Sequence, residues 1–219
     1  MEMLKMAKQS ISVRFRTKRI AVSAIMIALG TILSIIPLGL RLPFGGQVTP
    51  MSMAPVMLVC YIYGIKWGFL CSTAYGTIQA IIGIGEGMFA AQSWWRIILI
   101  ALLDYVLAYA AMCLAPAFKK LIKSPRISIA AGAFTGGIAR LACHFISGIL
   151  IWSSYAQSTL KSVSFGQKIL DSFSGTELVA VYSILYNGSF LLPDLILTII
   201  GLVILISVKP VRQEALRQS

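Results

Sequence analysis

The side chains best placed for chemistry lie in one apolar stretch, Arg140-Leu-Ala-Cys-His144-Phe-Ile-Ser-Gly148 running on to Trp152, which holds the only histidine of the chain. If residues 127–153 are helical, positions four apart advance about 400° per step and share one slowly drifting stripe. A cation, an imidazole, a gap and an indole then face the same way. The residues around them, Leu141, Phe145, Ile146, Ile149, Leu150 and Ile151, have the character of lipid. Ionisable groups inside a membrane are expensive and by default mark a site.

Two further clusters fit with this stripe. Asp104, in Ile100-Ala-Leu-Leu-Asp104-Tyr105, reads as the one acid of seven placed in the middle of a span, and there it needs a cationic or hydrogen-bonding partner. An ion pair with Arg140 and a ligand-binding role are both open and compatible. Tyr182 and Asn187, in Tyr182-Ser-Ile-Leu-Tyr186-Asn187, supply a hydroxyl on an aromatic plate and an amide that both donates and accepts. With Trp152 they suit a flat heteroaromatic ligand with a polar edge. An interfacial aromatic belt would also explain Tyr182 and Trp152, but not Asn187. Glu86, among Gly83, Gly85 and Gly87, reads as a loop carboxylate, either solvated or touching substrate.

The elements that must carry these groups are membrane spans. Hydrophobic residues make up 58% of the 219, charged residues only 12%, and mean hydropathy is +0.86, whereas a soluble domain is about a quarter charged. The chain reads as an all-α integral membrane protein, a bundle of six transmembrane helices at about 19–38, 51–66, 68–85, 95–117, 127–153 and 187–208. The second is short and holds Pro55, and Lys66 and Trp67 alone separate it from the third, so the two form a tight hairpin or a pair of broken helices. The organisation is a basic segment 1–18, a membrane domain 19–208 and a basic tail 209–219.

Charge sets the orientation. Lys5, Lys8, Arg14, Arg16, Lys18 and Arg19 precede the first span, Lys119, Lys120, Lys123 and Arg126 lie between the fourth and fifth, and Lys209, Arg212 and Arg217 follow the last. Six spans put all of these on one side, which the positive-inside rule makes cytoplasmic, both termini included; the other side holds only Arg41, Arg96, Lys161 and Lys168. The net charge of +12 is therefore topology and not a nucleic-acid footprint. Cys60, Cys71, Cys113 and Cys143 fall within spans, without metal or redox spacing. The first apolar run is long enough to be a retained span with no cleavage site after it.

In the first span Ala24 and Ala28 put two small residues on one face, which lets helices approach closely, either within the chain or against another membrane protein. No phosphate-binding Gly-Lys-Ser or Gly-Lys-Thr motif, no HExxH, no serine with a second histidine and no inverted repeat accompany the pocket. These absences argue against an ATPase, a zinc hydrolase or a metal site, and for a binding subunit driven by a partner.

The combined motifs resemble the S-components of energy-coupling factor (ECF) vitamin transporters, in their thiamine-specific branch. The likeness rests on Ala24-x-x-x-Ala28, Gly45-Gly46-Gln47-Val48-Thr49, Leu102-Leu103-Asp104-Tyr105, the run from Arg140 through His144 and Gly148 to Trp152, and Tyr182-Ser-x-x-Tyr186-Asn187, and it covers about residues 19–208. It implies thiamine bound near the outer surface of a bacterial cell membrane. Trp152 would stack on a ring, Asp104 would meet the cation or the aminopyrimidine edge, Tyr105, His144, Tyr182 and Asn187 would hydrogen-bond, and Gly148 would leave room. Arg140 would neutralise Asp104 or respond to ligand indirectly.

The resemblance further implies no cofactor and no covalent reaction, with ATP used by two partner ATPase subunits. A shared transmembrane coupling protein would dock on the Ala24 and Ala28 face. Two features depart from the pattern. Asp104 stands where the family also uses the longer Glu, and the outer segment 156–181, with Lys161, Lys168, Asp171 and Glu177, is long. If that segment enters the pocket, a thiamine precursor or another small vitamin becomes the alternative ligand. From other classes, a self-sufficient proton-coupled carrier using Asp104 and an intramembrane enzyme using His144 with Asp104 remain as rivals.

Overall fold

The computed structural model describes the chain except residues 37, 39–41, 45, 91 and 218–219, and gives the backbone but not the side chains of 2–12. Arg41 and Gly45 therefore lie outside the described residues. Among the described residues every regular element is helical: α1 (Glu2–Ile35), α2 (Ala54–Tyr63), α3 (Ile65–Gly85), α4 (Trp94–Leu114), α5 (Pro125–Leu150), α6 (Ala156–Lys161), α7 (Gly166–Ser172), α8 (Gly175–Ser207) and α9 (Lys209–Arg217). Five of these, α1, α3, α4, α5 and α8, are long and apolar enough to cross a membrane. Large apolar side chains such as Ile25, Ile81, Ile84, Ile196 and Ile204 face outward, as they do in lipid rather than in water.

The second expected span is the exception. α2 has 10 residues, so it rises only about 15 Å, roughly half a hydrocarbon core. Pro55 sits in its first turn, where the missing N–H costs nothing. Ala54 through Ile62 are all buried, and Met57 and Leu58 pack with Tyr75, Met112, Ile129 and Leu202 in the main core. Burial of Val48, Thr49, Ser52 and Met53 inside the bundle is what allows the irregular stretch 46–53 before it. A single residue, Gly64, joins α2 to α3, which is the hairpin alternative of the sequence reading.

Three other boundaries differ in ways that matter to the site. α8 begins at Gly175, twelve residues before the expected start at 187, because Ser183 is buried against Phe145 and Gly148 of α5 and Tyr182 against Phe44, Ala156 and Leu160, rather than left in a loop. α5 ends at Leu150, so Trp152 lies on the exit turn. The segment between α5 and α8 folds into the short helices α6 and α7, with Ala156, Leu160 and Val163 packed on Phe44, Leu178 and Tyr182. Lys161, Lys168, Asp171 and Glu177 are exposed.

At one end of the bundle the basic segments meet. Lys18 reaches Glu214 at 3.0 Å, the Arg19 guanidinium lies 3.9 Å from the Trp67 ring, and Lys119 donates to the Tyr61 carbonyl at 3.0 Å. Burial pushes the Lys119 ammonium below the ordinary lysine range. The polar pocket opens at the other end.

A buried carboxylate and an ion pair share one cavity

α4 and α5 approach closely because Gly132 and Gly136 expose backbone to backbone: a Cβ on Gly132 would strike the Ala115 carbonyl, and one on Gly136 would stand 2.9 Å from that of Ala111. In the middle of α4, residues Ala101–Leu107 take the wider π-helical form, a local change common at functional positions. Asp104 lies in that stretch, 8% exposed, and faces α5. Ser147 donates to its Oδ2 at 2.7 Å, Trp152 Nε1 donates to the same oxygen at 3.0 Å, and His144 Nδ1 donates to Oδ1 at 3.1 Å. Three donors fix the plane of the carboxylate, which is the requirement for a buried charge.

α8 completes the wall. Asn187 donates from its amide nitrogen to the His144 carbonyl at 3.2 Å and the Ser183 carbonyl at 2.9 Å, so its donors tie α8 to α5 and its amide oxygen is what remains for a ligand. A Cβ on Gly148 would overlap Ser183 Oγ, so that glycine makes room first of all for α8. The His144 ring stands edge-on to Phe190 at 6.2 Å, and its Nε2 has no hydrogen-bond partner. Tyr182 tilts against Tyr186 at 5.8 Å, Trp152 tilts against Tyr155 at 5.8 Å, and Tyr105 stacks with Phe89 at 5.8 Å.

These groups surround a cavity of about 740 Å³, and all eight residues expected at the site, Asp104, Tyr105, Arg140, His144, Gly148, Trp152, Tyr182 and Asn187, line it. Glu86 also lines it and is exposed. From the outer segment 156–181 only Thr159 does so, with Tyr155 just before it, and none of the segment's charged residues. Ala24 and Ala28 are exposed on α1 and lie away from the cavity, so they are not buried packing residues of this chain.

Two expectations need correction. Arg140 is not paired with Asp104: its Nη1 lies 4.0 Å from Asp194 Oδ2 and 2.8 Å from Met53 Sδ, with the guanidinium 4.2 Å from the Tyr109 ring. Nor is Asp104 the sole mid-span acid. Asp194, 5% exposed and directly after Pro193 inside α8, is a second one and also lines the cavity. The rule that singled out Asp104 applies equally to Asp194, which stands within the expected span 187–208, so that signal was present in the sequence. Ser147 carried none, since only its partner on another helix distinguishes it from the other serines.

The sequence profile of the thiamine transporter protein family (Thia_YuaJ) matches residues 20–213. This chain belongs to that family. Its role is transport rather than catalysis, in a multi-pass membrane protein. The chain is 30% identical over 197 residues to the thiamine transporter ThiT of Bacillus subtilis (strain 168), covering 85% of this chain and 89% of that one. It also superposes on a solved structure of ThiT from Listeria monocytogenes with a TM-score of 0.63 at 21% identity, over 89% of this chain and 96% of that one, which establishes a shared fold.

Proposed function

We propose that this chain is the substrate-binding membrane subunit, the S-component, of an ATP-driven ECF importer for thiamine. The observation that carries the reading is the single cavity in which Asp104, held by three donors, stands among the aromatic side chains of Trp152, Tyr182 and Tyr186. Thiamine joins a cationic thiazolium to an aminopyrimidine. A flat cation wants an aromatic plate and one carboxylate, and a charge-assisted hydrogen bond to the aminopyrimidine edge uses the same oxygens. In this reading Trp152 stacks on a ring, Tyr105, His144, Tyr182 and the Asn187 amide oxygen supply hydrogen bonds, and Gly148 keeps α5 slim beside the ligand.

The chain would stand in a bacterial cell membrane with both termini cytoplasmic and the cavity mouth outside, since the basic segments gather at the opposite end. The short α2 together with its partly buried approach 46–53 would count as the sixth crossing element of the domain 19–208, between the basic segments 1–18 and 209–219. Ala24 and Ala28, exposed on a peripheral α1, suit close docking of a transmembrane coupling protein. ATP would be used by the two ATPase subunits, and this chain would need no cofactor of its own.

Titrating the purified chain with thiamine while following tryptophan fluorescence tests the binding. Saturable quenching at stoichiometric ligand, with mass spectrometry finding thiamine in gently purified protein, is the expected result. No response to thiamine alongside a response to its pyrimidine precursor would replace the ligand.

A further inference from the structure

A buried arginine in a pocket for a cation is an electrostatic problem. Arg140 is 6% exposed and stands one turn before His144 on α5, about 6 Å along the axis, and His144 in turn holds Asp104. Its side chain lines the cavity, and its Nε has no hydrogen-bond partner. With no other acid beside it, this guanidinium would turn to Asp104, compete with the ligand for the carboxylate and repel a positive charge.

Asp194 prevents this. Its Oδ1 accepts from the Thr49 hydroxyl at 2.9 Å and from the Thr49 N–H at 3.4 Å, while Oδ2 is turned to Arg140 at 4.0 Å. The Thr49 hydroxyl also meets Ser52 Oγ at 2.7 Å, and Met53 in the same stretch takes Arg140 Nη1, so the approach to α2 is shaped around the pair. We propose that Asp194, oriented by Thr49, is a specificity-determining residue: it draws Arg140 away from Asp104 and neutralises it, which leaves Asp104 free for a cationic ligand. This rests on the thiamine reading of the cavity.

The test compares thiamine with its isostere in which an uncharged thiophene replaces the thiazolium and the aminopyrimidine is kept, on the full-length purified chain. Asp194→Asn keeps an acceptor for Thr49 and replaces the charged oxygen facing Arg140 by a neutral amide NH2. Its Kd for thiamine should rise by about tenfold or more, and its Kd for the neutral isostere by less than about threefold. The double variant Arg140→Met with Asp194→Asn should bring the ratio of the two constants back toward that of the wild type. Equal losses for both ligands, or no recovery in the double variant, overturn the inference.

If Asp194→Asn does not fold, Thr49→Val, which keeps both charges and the backbone N–H but removes the hydroxyl that orients the carboxylate, should shift the ratio in the same direction and Thr49→Ser should restore it. An unchanged ratio in Thr49→Val then overturns the inference. A wild type that binds neither ligand instead sinks the thiamine reading and this inference with it, whereas a wild type that binds thiamine beside variants with equal losses sinks this inference alone.

Discussion

The cavity holds two buried acids on facing helices, and they are used in opposite ways. Asp104 on α4 is surrounded by neutral donors, Ser147 and Trp152, and by an imidazole, so its charge is hydrogen-bonded without a permanent cation against it. Asp194 on α8 faces a guanidinium and is anchored by Thr49 across the bundle. The first arrangement leaves a carboxylate able to meet an incoming positive charge; the second has its charge already matched. Burial and residue type are the same for both, so what each acid does is decided by the charge of its neighbours.

The comparison is broken most directly by removing each charge in turn. Asp104→Asn should weaken thiamine binding by two orders of magnitude or more, because losing one partner of a buried charge pair costs about 3–5 kcal/mol. The melting temperature of the ligand-free protein should hardly move, since no guanidinium is stranded. Asp194→Asn strands Arg140 and should lower that melting temperature markedly. Calorimetric titration and thermal unfolding of both variants decide it, and a reversed pattern would make Asp104 the structural acid.

A smaller effect separates the two ways in which Trp152 serves the site around Asp104. Trp152→Ala removes both the ring and the Nε1 donor and should cost about one to two orders of magnitude in affinity, since stacking on an aromatic is worth roughly 1–3 kcal/mol. Trp152→Phe returns a ring without the donor. Recovery of most of the affinity assigns the role to stacking, and no recovery assigns it to the hydrogen bond with Asp104.

The smallest effect on binding is expected outside the cavity. Replacing Ala24 and Ala28 together by Trp touches neither acid, so thiamine titration should match the wild type, while uptake in cells holding the coupling protein and its ATPases should stop. Loss of both activities together would place α1 in the support of the pocket instead.

Much of the site was legible because its strongest signal is local. Arg140, His144 and Gly148 share a stripe by helical spacing alone, and apolar neighbours make any polar group there conspicuous. Trp152 follows the same count but lies past the end of α5, on the turn that swings its indole to Asp104. The start of α8 could have been set earlier, because Leu178 to Tyr186 are almost all apolar; what ties that stretch to α5, Ser183 donating to the Phe145 carbonyl, is a long-range contact. α2 reads as a longer helix than it is because hydropathy reports burial, and burial inside a bundle looks the same as exposure to lipid.

The sequence by itself determined the membrane class, the helical content, the segregation of basic residues and the eight residues from Asp104 to Asn187 that were expected at the site and line the cavity, since these follow from composition and from periods of a few residues. Only the tertiary structure decided which cation answers which acid. Ser147 meets Asp104 across 43 residues of chain and Thr49 meets Asp194 across 145, and no local periodicity encodes such pairings. The first is set by how closely the glycines of α5 let α4 approach and the second by where the stretch before α2 lies against α8, and those distances exist only once the helices are packed.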